Sequence, residues 1–135
     1  MKFELLEEVA GLKLFKLSIF KDERGEYIKL FSQKELENLG IKDNFVDDNY
    51  LISKKGSIRG LHCQIKNPEA KFLTCIEGKI LDIVVDLRET SSTYKQFFTF
   101  ELDSKEKKVL YIPKGFAHGF LSLEDSRVIY KSSNY

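Results

Sequence analysis

Hydrophobic and polar positions along the chain follow two rhythms, and the shorter one dominates. Eight stretches, 12–17, 26–31, 71–76, 79–87, 96–102, 107–112, 116–123 and 127–131, are rich in β-branched or aromatic residues and mostly alternate in polarity, which predicts strands. Turn chemistry falls between them, at 22–25 (DERG), 77–78 (EG), 113–115 (PKG) and 124–125 (ED). One stretch has helical spacing instead. Ser32 followed by Glu35 forms a capping box, Leu36 and Leu39 share an apolar side, and Gly40 is a natural stop, so the pattern predicts a short helix over 32–39. Many short strands separated by turns predict an all-β sandwich or barrel, and a jelly roll is one such solution that also encloses a ligand cavity. No internal repeat, low-complexity tract or proline-rich linker marks a second domain, so residues 1–135 are read as one.

Composition narrows the function classes. With 42% apolar and 13% aromatic residues, a chain of 135 can bury a single core. Its 22 lysines and arginines balance 21 aspartates and glutamates, which excludes the broad basic field of a nucleic-acid binder but leaves room for one phosphate site. The N-terminal stretch mixes acidic and apolar residues unlike a signal peptide, and no segment approaches membrane-spanning length. No membrane partner is expected, and the location is expected to be cytoplasmic. Cys63 and Cys75 are expected to be free, buried thiols rather than a disulfide.

Two histidines and no tryptophan make the search for proton-transfer groups short. His62 lies in RGLHCQ and His118 in IPKGFAHGF, both in strand-like segments. A histidine alone is more often a satisfied core or surface residue. Arg59, Lys71 and Tyr130 on other strands would, inside a barrel, form a polar cluster that is costly unless used or fully hydrogen-bonded. A lysine at the start of a strand, however, also suits the surface. Asp82 and Asp86 share a face with Ile80 and Val84. Facing inward, one of them could orient a histidine; facing outward, both are solvated.

The motifs become specific in combination. DERG at 22–25, FVDDN at 45–49, RGLHCQ at 59–64, Lys71, DIVVDLRETSSTY at 82–94, IPKGFAHGF at 112–120 and YKSSNY at 130–135 occur in the order found in the dTDP-4-dehydrorhamnose 3,5-epimerase family, which the chain resembles from about residue 12 onward. The resemblance implies a cupin double-stranded β-helix, usually a homodimer whose N-terminal strands exchange, with a nucleotide-linked 4-keto sugar in the barrel. It implies His62 as general base and Tyr130 as acid on the opposite face of the sugar. Lys71 and Arg59 would stand near the substrate's oxygen and phosphates, His118 would line the cavity, and Arg24 and Asn49 would lie around the nucleotide diphosphate and base. No metal or organic cofactor is implied. In the family a further segment supplies an aspartate to the base histidine; without it His62 is expected to be less well oriented unless Asp82, Asp86 or a partner subunit substitutes. Lys29 stands where the family commonly has glutamate and Asp47 where it has glutamine, both near the nucleotide.

Three alternatives stay open. A metal-dependent cupin would use His62, Gln64, Glu69 and His118, but glutamine is a poor ligand for transition metals. Nucleotide-sugar 3,4-ketoisomerases usually carry His-x-His where this chain reads His62-Cys63-Gln64, and the chain keeps Tyr130, which favours epimerisation. A non-catalytic sugar-nucleotide-binding cupin would keep the same residues without turnover.

Overall fold

The computed structural model describes residues 2–63 and 66–134. Two antiparallel sheets face each other. The larger has six strands in the order β1 (Glu4–Val9), β2 (Leu12–Lys16), β10 (Lys108–Ile112), β7 (Lys71–Glu77), β12 (Ser126–Ser132), β5 (Asp47–Ser53). The smaller runs β6 (Ile58–His62), β11 (Phe116–Ser122), β8 (Lys79–Asp86), β9 (Phe97–Asp103). A separate hairpin pairs β3 (Ile19–Asp22) with β4 (Gly25–Ile28), and α1 covers Gln33–Asn38. The result is the all-β jelly roll with one short helix that the sequence predicts.

The alternation along β8 explains how the sheets meet. Ile80, Asp82, Val84 and Asp86 are buried in strict register with half-buried neighbours, so one face of the strand looks into the sandwich. There the inner core gathers Leu12, Leu14, Leu73, Cys75, Ile80, Val84, Phe100, Leu102, Leu110, Ile112, Phe116, Phe120 and Val128. β7 and β10 read as nearly continuous apolar runs because they are buried on both faces, and β2 keeps Lys13 and Lys16 but buries Leu12, Leu14 and Phe15. Their outer side carries a second cluster, including Phe15, Phe72, Val109 and Tyr111, which Leu36 of α1 and Ile41 cover. The helix starts as its capping box predicts: the Glu35 backbone N–H donates to Ser32 Oγ at 3.2 Å.

Four strands went unpredicted as such: β1, β3, β5 and β6. β1, β5 and β6 are sheet edges, and β3 belongs to the free-standing hairpin. β1 and β6 bury no face, so their sequences carry no core-facing alternation. All five residues of β6 are exposed, and β5 opens on Asp-Asp-Asn, which are poor strand formers. The predicted strand 26–31 ends at Ile28, where the chain turns toward α1.

Candidate active site

A cavity of about 410 Å³ opens between the two sheets. The small sheet contributes Ile58, Arg59, Gly60, His62, His118, Gly119 and Phe120; the large sheet contributes Leu51, Lys71, Leu73, Val128 and Tyr130. Apolar walls with a few convergent polar groups are the usual make-up of a small-molecule site.

Two glycines bring β6 against β11. A Cβ on Gly60 would lie 2.5 Å from the His118 carbonyl oxygen, and one on Gly119 would lie 2.5 Å from that of Arg59. Gly60 also holds φ +91, a conformation that side chains other than glycine rarely adopt. This close approach, with an irregularity between His118 and Phe120, sets His62 directly opposite His118. The two imidazoles nevertheless differ. His118 is buried, whereas His62 is exposed and its ring has no hydrogen-bond partner among the described residues.

His118 sits in a chain of polar contacts. Its Nε2 is 2.7 Å from Asp82 Oδ2, and Lys71 Nζ is 3.4 Å from its Nδ1. An ammonium can only donate, so Nδ1 accepts and Nε2–H donates to Asp82, which fixes one neutral tautomer. Asp82 is fully buried, and its Oδ1 is unpaired among the described residues. Burial pushes its carboxyl above the usual range, against the opposing pull of His118 and Lys71. Lys71 also lies 3.6 Å from Glu69 Oε1, and its Nζ is 5.6 Å from the centre of the Tyr130 ring. Burial raises the pKa of the Tyr130 phenol above its usual value; Glu69 and Asp47 push the same way and Arg59 opposes them. Arg59 is steered along β5, donating from Nε to Ser53 Oγ at 2.9 Å and from Nη2 to the Ile52 carbonyl at 3.1 Å.

The structure therefore brings His62, Lys71, Arg59, His118 and Tyr130 to one cavity. Asn49 is half-buried, in register with Tyr130 on the neighbouring strand, but does not line the cavity. Arg24 lies on the β3–β4 hairpin, with its side chain 87% exposed and its guanidinium 2.6 Å from Asp22 Oδ2, and it lines a separate groove of the hairpin. Among the described residues the strands of this hairpin pair only with each other, and Arg24 does not line the cavity between the sheets. Asp82 does orient a histidine, but it is His118 rather than His62. Asp86 is taken up by Arg88, so neither aspartate substitutes as partner of His62. Of the weak metal set, Gln64 lies outside the described residues; Glu69 is engaged by Lys71 and Ser132, and His118 by Lys71 and Asp82. Both cysteines are free, yet only Cys75 is buried; Cys63 is exposed because β6 and the residue after it lie at an edge. Glu69 is the polar residue whose contact with Lys71 went unanticipated, although spacing of two along an extended segment was its signal.

Comparison with known proteins follows the same lines. The family described as dTDP-4-dehydrorhamnose 3,5-epimerase matches residues 7–135. The dTDP-4-dehydrorhamnose 3,5-epimerase of Shigella flexneri is 38% identical over 131 residues, 95% of this chain and 72% of its own length. A crystal structure of that enzyme from Bacillus anthracis, with TDP and PPi bound, superposes with TM-score 0.94 at 37% identity, covering 98% of this chain and 78% of that one. The dTDP-6-deoxy-D-glucose-3,5-epimerase of Legionella pneumophila, in complex with dTDP-4-keto-L-rhamnose, gives TM-score 0.91 at 37% identity over 99% of this chain and 72% of that one. The chain spans 64% to 72% of the first curated relatives it matches.

Proposed function

Because the chain belongs to the dTDP-4-dehydrorhamnose 3,5-epimerase family, a family of isomerases, we propose that it inverts C3, C5 or both of a nucleotide-linked 4-keto-6-deoxy sugar, in deoxysugar and cell-surface polysaccharide biosynthesis. One observation carries the reading: His62 and Tyr130 enter a single cavity from opposite sheets, with Lys71 beside the phenol. The C4 ketone acidifies the hydrogens at C3 and C5. Inversion then needs a base on one face of the ring, a proton donor on the other, and a positive group at the enolate oxygen. His62 on the small sheet takes the proton. Tyr130 on the large sheet returns one to the far face, and its raised pKa keeps the phenol protonated at neutral pH. Lys71 stabilises the oxyanion, and the His118–Asp82 pair accepts one of its N–H bonds. Acid–base side chains suffice for this chemistry, so neither metal nor organic cofactor enters a step.

Arg59 at the cavity rim is suited to the substrate's phosphates, and Asn49 and Arg24 to the nucleotide. Arg24 reaches a cavity only if the hairpin extends to a partner, which is one reason we infer a homodimer. The other is the apolar character of exposed edges, Leu5 and Leu6 on β1 and Ile58 and Leu61 on β6. No helix among the described residues is long and apolar enough to cross a membrane, and a cytoplasmic site of action, where sugar nucleotides are made, fits the reading.

The test is proton exchange. Incubated in deuterium oxide with dTDP-4-keto-6-deoxyglucose, the protein is expected to place deuterium at C3 and C5, read by NMR. Replacing His62 with asparagine should cut the rate by about 100-fold or more without lowering the melting temperature, since the side chain is exposed. Label at one carbon alone would make it a single-site epimerase. Exchange that survives His62→Asn at the parental rate would sink the assignment of the base.

A further inference from the structure

Glu69 has no part in the reaction as derived, yet it is built into the site. It stands two residues before Lys71, so both side chains fall on one side of the extended chain. Its Oε1 lies 3.6 Å from Lys71 Nζ, and the two side chains are only 17% and 12% exposed, removed from most of the solvent that weakens surface ion pairs. The second oxygen, Oε2, accepts a hydrogen bond from the Ser132 hydroxyl at the end of β12, and Ser132 Oγ accepts in turn from the Asn134 backbone N–H at 3.2 Å. β12 also carries Tyr130, so one carboxylate ties the strand bearing the ammonium to the strand bearing the phenol. The other charged or titratable groups around Lys71 are His118 on β11 with Asp82 behind it on β8, Tyr130 on β12, and His62 on β6 with Cys63 after it. Arg59 on β6 and Asp47 on β5 act on the Tyr130 side.

We propose that Glu69 is the positioning residue for Lys71: anchored by Ser132, its carboxylate holds the ammonium between His118 and Tyr130 and leaves the third N–H for the enolate oxygen. This rests on reading Lys71 as the enolate-stabilising group. An ammonium has three N–H bonds. His118 accepts one and Glu69 faces a second, so without Glu69 that hydrogen has no protein partner among the described residues, and the ammonium is free to swing away from its place between His118 and Tyr130.

Two variants separate the parts of the device. Glu69→Gln keeps the shape and the acceptor for Ser132 but removes the charge; Ser132→Ala keeps the charge and removes the anchor. The readout is the NMR signal of the Lys71 ε-carbon in protein carrying ¹³C at the lysine ε-carbon, identified by its absence in Lys71→Arg. We expect that signal to shift and broaden in Glu69→Gln, where the ammonium loses its fixed place, and to change less in Ser132→Ala. Turnover should drop about tenfold in Glu69→Gln with KM held within about threefold, as for a group acting on the transition state. A Lys71 signal unchanged in Glu69→Gln would overturn the proposal, whatever the activity does. If the parent protein exchanges no substrate hydrogen, the epimerase reading falls on that result alone, and the Lys71 signal still decides whether Glu69 positions Lys71.

Discussion

Asp82 and Asp86 stand four residues apart on the inward face of β8, both fully buried, and the fold treats them in opposite ways. Asp86 is saturated. Arg88 donates to its Oδ1 from Nε at 3.0 Å and from the backbone N–H at 2.9 Å, and to its Oδ2 from Nη2 at 2.9 Å. Ser91 and Thr93 donate to the same Oδ2 at 2.7 and 2.5 Å. Burial works to raise its pKa, but these donors outweigh burial and hold the carboxyl well below the usual range. Among the described residues Asp82 has a single hydrogen-bond partner, His118, and an orphaned Oδ1, and burial pushes its carboxyl up. Burial of a carboxylate alone therefore does not mark a functional site. The satisfied one is a strut: Arg88 passes its contact on to the Ala10 carbonyl at 2.8 Å, tying the β8–β9 loop to the β1–β2 turn. The under-satisfied one is tolerated because it fixes the tautomer of a cavity histidine.

The sharpest way to break this contrast is to remove each carboxylate. Asp86→Ala strands a partly buried guanidinium and two hydroxyls, and should cost about 3 kcal/mol or more of stability, read from urea unfolding. Asp82→Asn keeps the shape, removes a poorly satisfied buried charge, and should hold stability within about 1 kcal/mol. Its effect belongs in turnover, which should fall about tenfold or more because the asparagine no longer selects the His118 tautomer that accepts from Lys71. The reverse outcome, a large stability loss at Asp82 with activity retained by the folded fraction, would make Asp82 the strut.

How much of this was legible in the sequence divides along the same line. The alternation of Ile80, Asp82, Val84 and Asp86 put both carboxylates on one face, but periodicity alone could not say that the face was inward, because the half-buried residues between them, such as Leu81 and Ile83, are apolar too. Interior strands were read where β-branched and aromatic residues crowd. The edges β1, β5 and β6 were not, although the fourth edge, β9, was: its Phe-Phe-Thr-Phe run is β-prone, whereas β1 is rich in glutamate, β5 opens on Asp-Asp-Asn and β6 has no buried face. The motif resemblance named the residues that line the cavity, while their wiring depended on packing between sheets. That His118 and not His62 faces Asp82 follows from β11 lying between β6 and β8, a neighbour relation absent from any local pattern. Arg24 shows the converse: a motif marks the residue, but not that it sits on a hairpin whose strands, among the described residues, pair only with each other.

The smallest effect is the most discriminating, because it predicts opposite slopes from neighbouring side chains. A carboxyl held below its unfolded value of 3.8, as Asp86 is, contributes stability that is present above that pH and lost as the pH falls further. One held above 3.8, as Asp82 is, contributes stability that is complete below that pH and lost as the pH rises through its folded value. Urea midpoints measured across the acid range should therefore diverge. The deficit of Asp86→Asn relative to the parent should be full near neutrality and shrink once the pH drops below 3.8. For Asp82→Asn, its standing relative to the parent should improve as the pH climbs from 3.8, because only the parent must ionise a buried carboxyl. Parallel curves for the two variants would mean that His118 satisfies Asp82 as fully as Arg88, Ser91 and Thr93 satisfy Asp86. The orphaned Oδ1 would then have no energetic consequence.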